Sequence, residues 1–410
     1  MFANRAQRGM PKFREYAPDQ AWLLPPSVRD VLGDNHLCFF VHDIVERLDL
    51  SAIEASYSEE GQPGYNPRML LKLWLYAYCL GVTSSRRLEQ RTREDLGFRY
   101  LAGGAMPDYW ALNAFRRRHA RGLNDAFTQV VEFARDRGLA RLGHVAIDST
   151  RIAANASRDR IVAEAALRKE RAEIRRRIRR WQRQCESESA QEQGGTDVAA
   201  DARERLDEIE GQLRQLRKAG VKKQSETDPD SRFLKQRGGF TLGYTAEVAV
   251  SEDHVIVAQR VTQEGNDNGS LEAMVGQTCE RCKSAPEAVC ADSGYYNGEQ
   301  IEAVAAKGVE VFVPDSNLAC ELNGGPPAEQ QQSRIKRVNG TLAAMRAKMR
   351  SPDGRHFYRK RKATVELVFG VIKEQRGGRR FRLRGLGLVG VEFTLMTIAY
   401  NVSRLHHLLA

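Results

Sequence analysis

Apolar positions three and four residues apart dominate the first third of the chain. Met69, Leu70, Leu73, Trp74 and Ala77 fall at helical spacing behind Asn66 and Pro67, a capping residue and a first-turn residue. A core helix is predicted to start there and to end at Gly81. Ser84 or Ser85 is placed to cap a second helix through Leu88, and residues 108–119 offer a third that closes on Arg116, Arg117, Arg118 and His119. Residues 1–140 are therefore expected to form an all-α domain. Short helices edged with arginine suit a helix-turn-helix-like reader of DNA, and equally a helical bundle with a solvated basic face.

From Gly143 the period changes. HVAIDSTRIA reads as a strand; after a long interruption, GYTAEVAVS and VIVAQRVT alternate or run apolar on either side of the turn-like SEDH. A helix over 270–282, a strand over 288–292, a helix over 298–307 and a strand over 309–314 follow. The predicted class is α/β: a mixed five-stranded sheet flanked by helices, occupying residues 141–410, with the first and fourth strands parallel neighbours. The interruption, 157–230, carries two amphipathic stretches, Ile174, Ile178, Trp181 and Cys185, then Leu206, Ile209, Leu213 and Leu216. They predict an inserted helical hairpin, whose arginines either follow a phosphate backbone or form a solvated face. Residues 317–350 are polar and read as a loop or arm. The chain is helical again from Thr364, and 393–409 is apolar enough to dock on the sheet.

Composition then narrows the partner. The 410 residues include 64 Lys and Arg against 53 Asp and Glu, a net charge of +11, which favours a polyanion and makes nucleic acid the leading candidate. The run MLLKLWLYAYCLGV is short for a bilayer span and carries Lys72, and the amino terminus has no apolar core of a secretory signal. The expectation is a cytoplasmic protein with no membrane partner and with its seven cysteines reduced.

Three carboxylates stand out against this background. Asp148 interrupts an apolar strand, where a charge is costly unless compensated; a metal ion is one compensation. Asp292 closes AVCAD before Ser293 and Gly294, at a strand end facing a cleft or as a turn and cap residue. Glu366 lies in KATVELVFGVIKE, where Val365, Val368, Phe369 and Ile372 form the buried stripe and Lys362, Glu366, Gly370 and Lys373 a second one. Glycine inside a helix costs roughly 1 kcal/mol relative to alanine. At Gly370 it clears a gap between Glu366 and Lys373 in which another molecule, such as a DNA backbone, fits. Gly385, Gly387 and Gly390 spell a dinucleotide fingerprint without its acidic partner residue, so no nucleotide cofactor is expected. CERC near Cys290 lacks a fourth zinc ligand.

YRKRKATVELVFGVIKE resembles the tyrosine, arginine, glutamate, lysine signature of DDE-type transposases of bacterial insertion sequences, with AIDST and ADSGYY similar to the two aspartate motifs of that family. YNPRMLLKLWLYAY and PDYWALNAFRRRH resemble the region preceding the catalytic core in one branch. Tyr358 lies one residue further from the glutamate than the signature has it, and Lys362 takes the arginine slot beside Arg361. The resemblance implies an RNase H-like core in which Asp148, Asp292 and Glu366 are the catalytic residues and bind two Mg²⁺ or Mn²⁺ ions, oxygen ligands suiting such hard cations. It further implies DNA contacts from Tyr358, Arg361, Lys362, Lys373, Arg379, Arg380, Arg382 and Arg384, alongside the amino-terminal Arg116, Arg117 and Arg118. Element ends and target DNA would be the partners, held by a homo-oligomer at the nucleoid. A catalytically silent DNA-binding derivative and a nuclease without strand transfer are the alternatives.

Overall fold

The computed structural model describes residues 27–57, 64–187, 195–236, 238–330 and 340–410. Its amino-terminal region is helical: α1 (Val28–Leu32), α2 (Leu37–Arg47), α3 (Ser51–Glu54), α4 (Pro67–Cys79), α5 (Ser85–Glu94), α6 (Leu96–Ala102), α7 (Tyr109–Arg118) and α8 (Ala120–Asp136). The Asn66 side chain accepts from the Arg68 and Met69 amides to open α4, with Pro67 in the first turn, where its missing N–H costs nothing. Gly81 ends that helix at φ +72°, and a Cβ there would meet the Arg376 backbone at 3.3 Å. Asp108 caps α7 through the Ala111 amide.

The second part is a mixed sheet with inserted and flanking helices. In chain order its elements are β1 (His144–Ala153), β2 (Ile161–Ala163), α9 (Glu164–Ser187), α10 (Gly195–Lys218), β3 (Lys223–Ser225), β4 (Arg232–Gln236), β5 (Gly239–Val250) and β6 (Ile256–Thr262). There follow α11 (Leu271–Cys282), β7 (Ala288–Cys290), α12 (Gly298–Ala305), β8 (Glu310–Phe312), α13 (Ser316–Leu322), α14 (Gly340–Arg350), α15 (Pro352–Gly370) and α16 (Leu386–Leu409). The sheet runs β4-β5-β1-β7-β8, with β6 also paired to β5. β1, β5 and β6 are antiparallel, whereas β1, β7 and β8 are parallel. The first strand therefore lies beside the fourth of the five expected, in the same direction. Gly243 makes the β1–β5 pairing possible, because a Cβ at that position would sit 2.1 Å from the Ile152 carbonyl oxygen.

Two expectations are corrected. The sheet has six strands among the described residues, not five: β4, of sequence RFLKQ, buries only Leu234 and so gives no apolar alternation to read. Residues 317–350 are not simply a loop, since α13 and α14 lie within or across them. Leu318 and Ala319 are buried on α13, and Met345 and Met349 form an i, i+4 buried pair on α14. Asp315 ties the two helices together, capping α13 and pairing with Arg346.

The insert has its own small core of Leu167, Ile174, Ile209, Leu213 and Leu216, and its base is closed by the antiparallel pair β2–β3. Trp181 is only partly buried and stands outside that core, and the Cys185 side chain lies outside the described residues. Most of the other buried apolar residues share one cluster running from Cys38 to Leu405. Its centre is α16, long and apolar enough to cross a membrane by length and composition, yet mostly buried against the rest of the chain. Asn401 on α16 binds both backbone groups of Ile256 on β6, fixing helix to sheet.

Candidate active site

Parallel pairing of β1 with β7 sets Ala146 opposite Cys290, so the residues two further along, Asp148 within β1 and Asp292 just past the end of β7, meet at the carboxyl end of the parallel pair. Asp148 is held by its neighbours: Oδ1 accepts the Ser149 amide at 2.8 Å, and Oδ2 accepts from Arg361 Nη1 at 2.6 Å. Asp292 caps the short 3₁₀ turn Ser293–Tyr295 through the Gly294 amide, 2.8 Å from Oδ1, so the cap reading of this residue also holds. Burial pushes the Asp148 carboxyl up to about 6; Arg361 opposes the shift and the negative charge of Asp292 adds to it. Burial likewise raises Asp292, opposed by Arg361 and the Gly294 N–H and reinforced by Asp267.

Arg361 is the cation of this pair. It enters from α15 with only 7% of its side chain exposed, lies 5.1 Å from the centroid of the Tyr358 ring, and leaves its buried Nε without a partner. Lys373 comes from the π-helical turn Val371–Gln375 that continues α15 past Gly370, and its ammonium donates to the Thr150 hydroxyl. Thr150 is two residues along β1 from Asp148 and so on the same face. Burial lowers the Lys373 pKa, and Arg379 lowers it further. A π turn inside a helix is a frequent mark of a functional site. The space beside Gly370 is open, with nothing within 4 Å of where a Cβ would be.

Glu366 stands apart from this pair. It is exposed, and among the described residues no three His, Cys, Asp or Glu side chains lie close enough to hold a metal. The cause is helical geometry: Val365 and Val368 anchor α15, Arg361 is turned toward Asp148, and Glu366, five residues on, points about 140° away from Arg361 at roughly 100° per residue. Asp148 and Asp292 are brought together; Glu366 is on the same helix as their arginine but outside the cluster.

Other residues earlier singled out divide by burial. Tyr358 is 3% exposed, with its hydroxyl near Asn323 Nδ2 at 3.4 Å. As a DNA contact it is corrected: its ring is packed under Arg361. Arg116 is corrected likewise. It is 3% exposed, 4.4 Å from the Trp74 ring centroid, and donates to the Tyr78 hydroxyl at 3.1 Å, because α7 turns Leu112, Phe115 and Arg116 inward. Arg117, Arg118, Lys362, Arg379, Arg380, Arg382 and Arg384 are exposed. Of these, Arg379 pairs with Glu374, Arg382 Nε donates to Thr83 Oγ1 at 3.1 Å, and Arg384 Nε donates to the Asn155 carbonyl at 2.9 Å. The segment around Arg380 is joined to the end of β1, where the Phe381 amide donates to the Ala153 carbonyl at 2.9 Å. Gly385 opens α16, but the amides of Gly385 and Leu386 are taken by Asp228 and Asp230.

Sequence reading passed over Asp267. It is 7% exposed, accepts from Arg151 Nη1 at 3.3 Å, and sits so near Asp292 that a Cβ on Gly294 would lie 3.0 Å from Asp292 Oδ1 and 3.2 Å from Asp267 Oδ2. Glu247 and Tyr295, both fully buried, lie in the same polar region, Glu247 paired with Arg260. The one available signal was Arg151, a charge three residues after Asp148 in the same strand that needs an acid to answer it.

Residues 26–118 match the family model described as Transposase domain (DUF772), and residues 318–406 match the one described as Transposase DDE domain. The two matches together support a DDE-type transposase of insertion sequences. The second match spans Arg361, Glu366, Lys373 and most of α16, while Asp148 and Asp292 of the transposase lie outside both matched segments. Neither the curated proteins nor the solved structures contain a match to the transposase.

Proposed function

We propose that this transposase binds the terminal inverted repeats of its own insertion sequence, cleaves the ends by metal-dependent phosphodiester hydrolysis and joins the 3′ ends to target DNA, using an RNase H-like core. The observation that carries the reading is the meeting of Asp148 and Asp292 at the ends of adjacent parallel strands, opposed by Arg361, in a chain with a transposase DDE match. Two half-buried carboxylates, both with pKa values raised by burial, form an oxygen-only donor set suited to Mg²⁺ or Mn²⁺. Asp148 and Asp292 would hold the cation; Glu366, exposed on another face of α15, would have to turn toward them when DNA and metal bind in order to supply a third carboxylate. When bound, divalent ions supply Lewis-acid stabilisation of charge and activation of the attacking oxygen.

The chain's own residues have separate tasks. Lys373, already aimed at the Asp148 face through Thr150, would hold the phosphate flanking the scissile bond. The unpartnered Nε of Arg361 is a second donor for a phosphate oxygen. Exposed Lys362, Arg380 and Arg384 would continue the contact along the strand, a sequence-independent attraction that weakens with salt. Residues 1–140 would read the ends and 141–410 perform the chemistry, the insert 157–230 projecting from it.

The test is incubation of the full chain with Mg²⁺, a labelled element end and a target plasmid. Joined product is expected. Cleavage without joining would instead identify a nuclease, and binding without cleavage a silent DNA-binding derivative.

A further inference from the structure

Trp110 is the most exposed large apolar side chain among the described residues, at 69%, and it stands at the start of α7. Exposed indole is wasteful in a fold that buries Trp74 completely. α7 has two distinct faces. Leu112, Phe115 and Arg116 are buried, and the Leu112 carbonyl accepts from Trp74 Nε1 at 2.8 Å, so the helix is fastened to α4 and cannot roll to cover the indole. On the opposite side Trp110 and Arg117, at i and i+7, are exposed, with Asn113 half-buried between them.

The surroundings are aromatic and basic. The Tyr109 ring lies 5.7 Å from that of Trp110, and Arg86 of α5 sits 5.1 Å from the Tyr109 centroid. Arg87, Arg118 and Arg121 are exposed on the same helical region. The nearby acids are Asp108 and Glu89, which accept the Ala111 and Tyr109 amides of the first turn of α7, Glu89 also pairing with Arg93; the arginines of this face outnumber them. An outward indole within a field of arginines matches the two needs of DNA binding: a flat face for the nucleosides and cations for the phosphates.

We infer that α7 is the helix this transposase lays against DNA, with Trp110 packing on deoxyribose and base edges in a groove and Arg117 on the backbone. The inference rests on the transposase reading but concerns a surface separate from the carboxylate site. Fluorescence anisotropy with a labelled duplex of the DNA flanking the coding region tests it. Trp110→Ala is expected to weaken binding by roughly 10-fold or more, the loss of a large aromatic contact at an interface, while Trp110→Phe stays within about threefold. Arg117→Ala should weaken binding and lower the salt slope by about one. Melting temperatures should match the parent, because both side chains are exposed. Unchanged affinity of Trp110→Ala overturns the inference. So does a Trp110→Ala protein that binds DNA normally but loses self-association in sedimentation velocity, which would mark the face as a contact between copies of the chain. If the parent cuts the duplex and Trp110→Ala binds it equally well, only this inference fails; if the parent neither binds nor cuts it, the transposase reading fails.

Discussion

Arg116 is a structural arginine beside two solvent-facing ones, Arg117 and Arg118. Its guanidinium donates to Asn113 Oδ1 and the Tyr78 hydroxyl at 3.1 Å and approaches the Thr83 carbonyl at 3.4 Å, all but closed off from water. Its charge also counts at Glu392 of α16, which is fully buried and accepts the Arg382 and Leu383 amides, both at 2.8 Å. Burial raises the Glu392 pKa, and Arg116 is the first of the groups that oppose this. Arg116→Ala would forfeit a cation–π contact of about 1–2 kcal/mol, leave buried hydrogen-bond partners unpaired at about 1–3 kcal/mol, and strand a buried carboxylate. These terms overlap, and the expected net loss is about 3–5 kcal/mol, the usual cost of breaking a buried charge pair on one side. Urea titrations followed by circular dichroism should show this as a lower midpoint, whereas Arg117→Ala and Arg118→Ala should unfold with the parent. A stable Arg116→Ala protein whose only defect is weaker DNA binding would refute the reasoning.

Three further outcomes follow from the geometry. His144 on β1 is 1% exposed and stacked on Phe357, and burial, with Lys360 second, holds its pKa down at about 4 against 6.5 for the free group. Its stabilising effect is complete above pH 6.5 and is lost as pH falls toward 4, because only the unfolded chain takes up the proton; between pH 7.5 and 5 the parent should lose roughly 2 kcal/mol more than His144→Phe in paired urea titrations. Arg361→Gln removes the cation lodged against Asp148, so the DNA-free protein should bind Mn²⁺ at least about tenfold more tightly by calorimetry, with Arg361→Lys remaining near the parent; equal affinities would show that Arg361 does not compete. Gly243→Ala places a methyl into the Ile152 carbonyl and should lower the melting temperature by several degrees, and an unchanged melting curve would mean the strands can part at no cost.

Much of the sheet was legible because its strands are buried on both faces and read as apolar runs, and because the turns between them carry their own residues. β1, β5, β6 and β7 lie where the change of period puts them, and Asn66 and Pro67 mark the start of α4. β4 was not legible, since an edge strand with one buried residue needs no apolar alternation. α13 and α14 escaped notice because each buries only a pair of residues within a polar stretch. At the site, the parallel neighbours foretold the meeting of Asp148 with Asp292, but periodicity alone cannot say which polar stripe of α15 faces them. Arg361, not Glu366, takes that position, and Arg116 is inside although RRR looks uniform in sequence. Asp267 lies in a loop, where no period exists to draw attention to it.

Cleavage by Glu366→Gln decides whether the three carboxylates act together. With a labelled element end and Mg²⁺ under single-turnover conditions, Glu366→Gln is expected to bind the end within about twofold of the parent while cutting it roughly 10³-fold more slowly or not at all, as are Asp148→Asn and Asp292→Asn. Cleavage by Glu366→Gln at the parental rate would contradict the account, leaving the exposed glutamate outside the chemistry and the two aspartates without the third carboxylate assigned to them.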